Sequence, residues 1–323
     1  MARPRILITR RWPEAVEVKL AETFDVTLNT ADTPLGRDAL RDALGAFDAI
    51  LPTVTDRIGP EVFDRPAIRT RILANYGVGF SHIDVAAAKG QSIAVTNTPD
   101  VLSDCTADLA LTLMLMAARR AGEGERDLRA GAWSGWRPTH LIGTKVSGAT
   151  LGIIGFGRIG QAVADRAHHG FGMTILVQNR SAVAPEVLAR TGAAQVEAID
   201  DLLPRCDFVS LHCPGGAANR HLIDARRFGL MKPGAFLINT ARGEVVDEAA
   251  LAEALEEGRI GGAGLDVYEN EPRIPEALMA APNLVMLPHL GSATRETREA
   301  MGFRVMDNLV DFFAGRTPRD RVA

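Results

Sequence analysis

A chain of 323 residues is longer than one typical core and points to two domains. Hydrophobic residues make up 46% and charged residues 24%, the balance of a soluble globular protein, and a net charge of −4 gives no electrostatic case for nucleic acid. Three cysteines, Cys105, Cys206 and Cys213, form no metal-ligand spacing and no disulfide framework, so a reducing, cytoplasmic compartment is expected.

The N-terminus, MARPRILITR, passes straight into a strand-like run without a long apolar segment, so no secretory signal is expected. Short apolar or β-branched runs then recur between helix-length segments. In the first hundred residues they are RILITR, FDVTL, AILPTV, RILANY and IAVTN; in the next two hundred they are LGIIGF, TILVQN, FVSLHC, AFLINT, GAGLDV and NLVMLP. Strands without strict alternation, spaced in this way, predict parallel sheets covered on both faces, in two α/β units of about five and six strands. Pro99-Asp100 punctuates the first unit and opens an apolar helix to about Arg120. Its stretch LALTLMLMAA is too short for a membrane span, which takes about 20 residues, and predicts burial in the chain or against a partner. After Pro288 an amphipathic helix places Met301, Val305, Leu309 and Phe312 on one face, with Gly315 as its stop.

The clearest motif is LGIIGFGRIGQAVADRA, in which Gly155, Gly157 and Gly160 form G-x-G-x-x-G between a strand and a helix. The first glycine permits a tight turn, the second lets a pyrophosphate approach the backbone, and the third lets helix and strand pack closely. The helix N-terminus offers unpaired N–H groups to phosphates, and the motif predicts a dinucleotide site. The next strand ends in Gln178-Asn179-Arg180-Ser181, with Asn179 where an acid that holds the ribose hydroxyls of NAD is expected. An amide there removes the repulsion of a 2′-phosphate, and Arg180 with Ser181 offers it donors, which predicts NADPH over NADH with NADH still possible.

Chemistry in open α/β sheets gathers at the carboxyl ends of the strands. Arg242 follows AFLINTA, Glu271 follows GLDVYEN, and His289 follows NLVMLP. Singly, each reads as a solvated loop charge or a structural histidine. Together they supply an anion clamp, a carboxylate and a proton carrier, the kit for reducing a 2-keto acid.

The motifs NTARGEVVDE, GLDVYENEP, LPHLGSAT, GFGRIG and NTPDVLSDCTADLALTLML resemble the D-isomer-specific 2-hydroxyacid dehydrogenases, and ANYGVGFSHIDV and TVTDRI resemble their glyoxylate/hydroxypyruvate reductase branch. The resemblance weakens only before about residue 45. It implies an α/β fold of two doubly wound parallel-sheet domains, with a Rossmann cofactor domain (100–290) inserted into a flavodoxin-like substrate domain (1–99 and 291–323). It also implies reduction of glyoxylate or hydroxypyruvate by hydride transfer. Arg242 would grip the substrate's carboxylate and carbonyl oxygen, His289 would donate the proton, and Glu271 would orient the imidazole. Leu51 would line the substrate pocket with Pro52, Tyr76 and Met286, and the backbone of Val78 and Gly79 would hold the carboxylate. Cofactor contacts would come from Thr106, the loop Gly155, Phe156, Gly157, Arg158, Ile159 and Gly160, then Asn179, Arg180 and Ser181. Further contacts would be Cys213, Pro214, Thr240, Ala241, Asp266, His289 and Gly291.

Asp247 reads as the N-cap of the following helix, His168 and His169 as solvated, and His82 as structural without a visible partner. The resemblance further implies a homodimer that covers the apolar helix, with a core helix within one chain as the alternative; Trp133 and Trp136 read either as inserted toward the partner's pocket or as packing anchors, and no metal or membrane is expected. Formate dehydrogenases carry glutamine where Glu271 stands, so the chain departs from them. Phosphonate dehydrogenases and dinucleotide-sensing corepressors keep Arg, Glu and His and stand as the alternative readings.

Overall fold

The computed structural model describes residues 3–323, which form two compact units. The first unit runs to Leu102 and resumes at Ser292; the second spans Ser103–Gly291. Against the division after residues 99 and 290 expected from sequence, the first passage falls later because Ser103 begins a long helix.

Five strands build the first unit: β1 (Arg5–Ile8), β2 (Asp25–Leu28), β3 (Ala49–Leu51), β4 (Ile72–Ala74) and β5 (Ala94–Thr96). They pair in parallel in the order β2-β1-β3-β4-β5, the flavodoxin-like order. Ile6, Ile8, Ile50, Leu51, Ile72 and Leu73 are fully buried, as expected for short strands covered on both faces. The last helix, Arg295–Phe313, is capped by Thr294, whose hydroxyl accepts from the Thr297 N–H at 3.3 Å. Met301, Val305 and Leu309 are buried and Phe312 half-buried, and the helix packs on Glu14–Thr23 and on β4. Gly302 makes that crossing possible, because a Cβ there would stand 2.5 Å from Cγ1 of Val16.

The second unit contains β6 (Thr150–Ile154), β7 (Thr174–Gln178), β8 (Ala193–Val196), β9 (Phe208–Leu211), β10 (Phe236–Asn239), β11 (Gly262–Leu265) and β12 (Leu284–Met286). All pairs are parallel, in the order β12-β11-β10-β9-β6-β7-β8. Renumbered from β6, this is the dinucleotide-binding order 3-2-1-4-5-6 with one added strand, and the order reverses between β6 and β9. The sheet therefore has seven strands, not the six expected. The strand the sequence concealed is β8, AAQV, an edge strand whose residues are half-buried or exposed, so it carries no continuous apolar run.

The apolar helix Ser103–Ala118 packs on β10, β11, β12 and the glycine-loop helix Arg158–Phe171. Ala107, Ala110, Leu113, Met114 and Ala117 are fully buried, while Asp104, Asp108 and Thr112 form the exposed stripe. Its apolarity is thus accounted for within one chain and needs no second copy. Among the described residues no helix is long and apolar enough to cross a membrane.

Candidate active site

The carboxyl ends of β6, β7, β9, β10, β11 and β12 carry the second unit's polar machinery. Gly155, which follows β6, is held at φ +90°, where a Cβ would lie 2.6 Å from the backbone nitrogen of Cys213. A Cβ at Gly160 would lie 2.4 Å from the carbonyl oxygen of Gly155. These two glycines are demanded by the protein's own packing. Gly157 differs: it is the N-cap of Arg158–Phe171, no side chain caps that helix, and a Cβ there would meet nothing within 4 Å. Space is kept open at a helix N-terminus, the cradle a pyrophosphate needs.

Around the loop the expected cofactor residues divide into three kinds. Phe156 is buried in the core at 3% exposure, and Ile159 packs partly on the same core; Arg158 is exposed. Cys213 lines the turn after β9, and burial pushes its thiol up to about 11, which removes it as a nucleophile. Exposed Pro214 follows, its carbonyl accepting from Asn219 at 2.8 Å. Thr240 after β10 is buried, and its hydroxyl has no hydrogen-bond partner, an orphan polar atom at a strand end. These features fit a dinucleotide.

At the end of β7, Oδ1 of Asn179 accepts from the Phe156 N–H at 3.2 Å, and its amide nitrogen donates to the Ser181 carbonyl and hydroxyl, both at 3.1 Å. The amide therefore ties the glycine loop to the β7 loop. Arg180 is exposed and forms no ion pair among the described residues.

The turn after β10 is set by Asn239, which the sequence reading passed over. Its side chain accepts from Ala241 N–H at 3.0 Å and donates to the Arg242 carbonyl at 3.0 Å. The Arg242 guanidinium donates to the Ala241 carbonyl at 2.6 Å and pairs with no carboxylate among the described residues. Desolvation lowers its pKa while Glu271 and Glu244 oppose that, so a cation waits in a poorly hydrated place.

His289 stands in the left-handed region at φ +57°, an uncommon conformation for a non-glycine residue. Asp266, 1% exposed at the end of β11, imposes it. The Asp266 carbonyl accepts the His289 N–H at 2.9 Å, and its carboxylate accepts from Leu290 N–H at 2.6 Å and Gly291 N–H at 2.8 Å. Thr106 closes the loop from the other side by donating to the Gly291 carbonyl at 3.0 Å. Asp266 and Thr106, expected beside the cofactor, thus have their polar atoms engaged by the His289 loop.

Nδ1 of His289 meets Oε2 of Glu271 at 2.9 Å, and Oε1 of Glu271 accepts the Tyr268 N–H at 3.0 Å. Burial raises the Glu271 pKa, but the histidine's hydrogen bond and charge, the Tyr268 N–H and Arg242 together hold it below the usual value. An ionised Glu271 can only accept, so Nδ1 of His289 is a donating nitrogen. Glu248, also overlooked in sequence, supports the same loop by accepting the Glu269 N–H at 2.7 Å.

Asp247 caps its helix, accepting from Ala249 and Ala250 N–H at 3.1 Å. His169 is exposed as expected, but His168 is half-buried, its ring filling the place a Cβ of Gly192 would take. His82 has a partner after all: its Nε2 lies 3.0 Å from Oδ1 of Asn75. In the first unit Leu51 is fully buried in β3, Tyr76 donates to the Arg298 carbonyl at 2.6 Å, and Val78 and Gly79 are half-buried.

A dinucleotide-binding sheet whose strand ends carry a desolvated arginine and a carboxylate-held histidine defines a nicotinamide-dependent oxidoreductase. A family model for the D-isomer specific 2-hydroxyacid dehydrogenase NAD binding domain matches residues 111–291. The glyoxylate reductase of Thermococcus kodakarensis is 46% identical over 320 residues, covering 98% of this chain and 95% of that one. Among solved structures, a glyoxylate reductase from Paecilomyes thermophila has a TM-score of 0.87 at 33% identity, covering 100% of this chain and 99% of that one. An NADPH-dependent glyoxylate/hydroxypyruvate reductase from Sinorhizobium meliloti, solved with NADP and malonate, has a TM-score of 0.88 at 35% identity, covering 100% and 97%. The chain belongs to the D-isomer specific 2-hydroxyacid dehydrogenase family, in its glyoxylate reductase branch.

The two kinds of glycine predict two outcomes. Gly160→Ala should lower stability by about 1–3 kcal/mol through overpacking against the Gly155 carbonyl. Gly157→Ala should leave the melting temperature nearly unchanged and weaken dinucleotide binding at least about tenfold, because the methyl group fills the cradle. Thermal melts and cofactor fluorescence titrations measure both, and equal cofactor affinity in Gly157→Ala and wild type would contradict the assignment.

Proposed function

We propose that the protein reduces a small 2-keto acid, glyoxylate or hydroxypyruvate, to the D-2-hydroxy acid with NADPH in the cytoplasm. The observation that carries this reading is the His289–Glu271 pair at 2.9 Å, on strand ends that also carry an arginine with no ion pair among the described residues. The Arg242 fork suits a planar carboxylate and carbonyl oxygen, and its lack of an ion pair leaves it ready for an anion. When bound, the reduced nicotinamide supplies hydride to the carbonyl carbon. Nε2 of His289 gives its proton to the oxygen that becomes the alkoxide, while Glu271 holds Nδ1 and stabilises the charged ring. The N–H groups of Val78 and Gly79 serve the substrate's carboxylate.

The glycine loop, turned by Gly155, packed by Gly160 and open at Gly157, would hold the pyrophosphate of the cofactor, with Cys213, Pro214 and Thr240 beside it. NADPH is favoured because an acid in place of Asn179 would repel a 2′-phosphate by about 4 kcal/mol at 4 Å and an effective dielectric near 20. Arg180, exposed and unpaired among the described residues, supplies a charge-assisted fork instead. The protein acts as a homodimer in this reading, supported by exposed Leu128, Trp133, Trp136 and Ile142, at 61%, 51%, 83% and 66% exposure, between residues 121 and 145.

Three outcomes follow. His289→Asn should lower kcat by roughly 10²–10⁴ while cofactor binding survives, and an unchanged kcat in steady-state assays would remove His289 as the acid. Arg180→Ala should cut kcat/KM for NADPH by about 10- to 100-fold and leave NADH little affected. If wild type uses NADH as well as NADPH, or the ratio stays fixed in the variant, the cofactor assignment is wrong. Light scattering at micromolar concentration should give twice the 34.6 kDa chain mass, and a monomer would refute the dimer.

A further inference from the structure

The loop Gly77-Val78-Gly79 is held by side chains that none of the catalytic roles above uses. Asn75 is fully buried, and its Nδ2 donates to the Gly77 carbonyl at 2.9 Å and to the Gly79 carbonyl at 3.0 Å. Both amide protons are committed, so Oδ1 faces the other way, where it meets Nε2 of His82 at 3.0 Å. The intervening Val78 carbonyl is taken by Nδ2 of Asn97, itself 8% exposed, at 2.9 Å. Thr98 N–H adds a second bond to the Gly77 carbonyl at 3.0 Å.

The peptide plane converts this into a statement about donors. A carbonyl and the N–H of the next residue belong to one rigid trans unit and point in opposite directions. Holding the Gly77 carbonyl therefore aims the Val78 N–H, and holding the Val78 carbonyl aims the Gly79 N–H. Neither N–H is taken by a hydrogen bond among the described residues. A three-residue loop with two glycines is otherwise the segment with most conformational freedom to lose. Buried amides on both sides remove that freedom before any ligand arrives.

We infer that Asn75, His82 and Asn97 are positioning residues, which pre-set the Val78 and Gly79 N–H groups as a cradle for one carboxylate. Asn75 sets the loop, His82 sets Asn75, and Asn97 sets the middle peptide. The inference rests on the proposed role of this loop in substrate binding. It adds that the cradle's geometry is stored in three side chains that touch no substrate.

The test measures kcat and KM for glyoxylate at saturating NADPH, with NADPH affinity by fluorescence. Asn75→Asp sets a carboxylate against two carbonyl oxygens and should raise KM at least about tenfold, with kcat changed less than about threefold and NADPH affinity unchanged. His82→Leu leaves Oδ1 of Asn75 without its donor and should shift KM the same way, less strongly. His82→Gln, which keeps a donor, should return KM to within about twofold of wild type. An unchanged KM in folded Asn75→Asp and His82→Leu overturns the inference, as does loss of kcat alone or a His82→Gln variant as impaired as His82→Leu. If Asn75→Asp does not fold, the His82 pair decides. If wild type does not turn over glyoxylate, the proposed function fails separately, and calorimetric titration with oxalate reads the cradle. Weaker oxalate binding in His82→Leu, restored in His82→Gln, then supports it, and equal affinity throughout or no binding to wild type overturns it.

Discussion

The second unit's chemistry depends on how Asp266 spends its hydrogen-bonding capacity. A carboxylate at 1% exposure is costly unless its oxygens are taken, and here the N–H groups of Leu290 and Gly291 take them. With its own carbonyl accepting from His289, Asp266 bends the chain into the left-handed region at the residue proposed to carry the proton. A strained histidine persists only where the surroundings over-determine it. Thr106 and Glu271 complete that surround, one on the Gly291 carbonyl and the other on Nδ1. The imidazole is thus fixed at its backbone, at its following residues and at one ring nitrogen.

The same logic recurs at each strand end. Asn239 fixes the turn that carries Arg242, Asn179 ties the glycine loop to the β7 loop, and Glu248 steadies the segment before Glu271. Asn239, Asn179 and Glu248 hold backbone, while Arg242, Glu271 and His289 are the side chains proposed to act on substrate. Pre-organisation of this kind lowers the ordering cost at the moment of binding.

Much of this was legible in the sequence. Eleven of the twelve strands appear as apolar runs, because parallel strands buried on both faces cannot hide their composition. The missing one, β8, lies on an edge and reads as Ala-Ala-Gln-Val, which no periodicity distinguishes from a loop. The glycine loop and the residues at the ends of β10, β11 and β12 were visible because each follows a strand at a short distance. The supporting residues were not. Asn239 lies inside its motif, yet nothing in its spacing says that both faces of its amide are used. His82 is paired to Asn75 across seven residues that periodicity treats as an irregular loop. The helix Ser103–Ala118 was read correctly as buried, but composition alone could not tell its own sheet from a second copy. Gly157 shows the converse: the motif names three equivalent glycines, and only the coordinates reveal which two the protein needs for itself.

A desolvated arginine beside a carboxylate-held histidine would make this site a reductase of keto acids and not of carbonyl compounds at large. Comparing NADPH oxidation by wild type with glyoxylate and with glycolaldehyde, which keeps the aldehyde and lacks the carboxylate, tests it most directly. Loss of a charged, bidentate contact worth about 2–3 kcal/mol predicts kcat/KM roughly 100-fold higher for glyoxylate. Equal rates with the two aldehydes, or none with glyoxylate, would contradict the account.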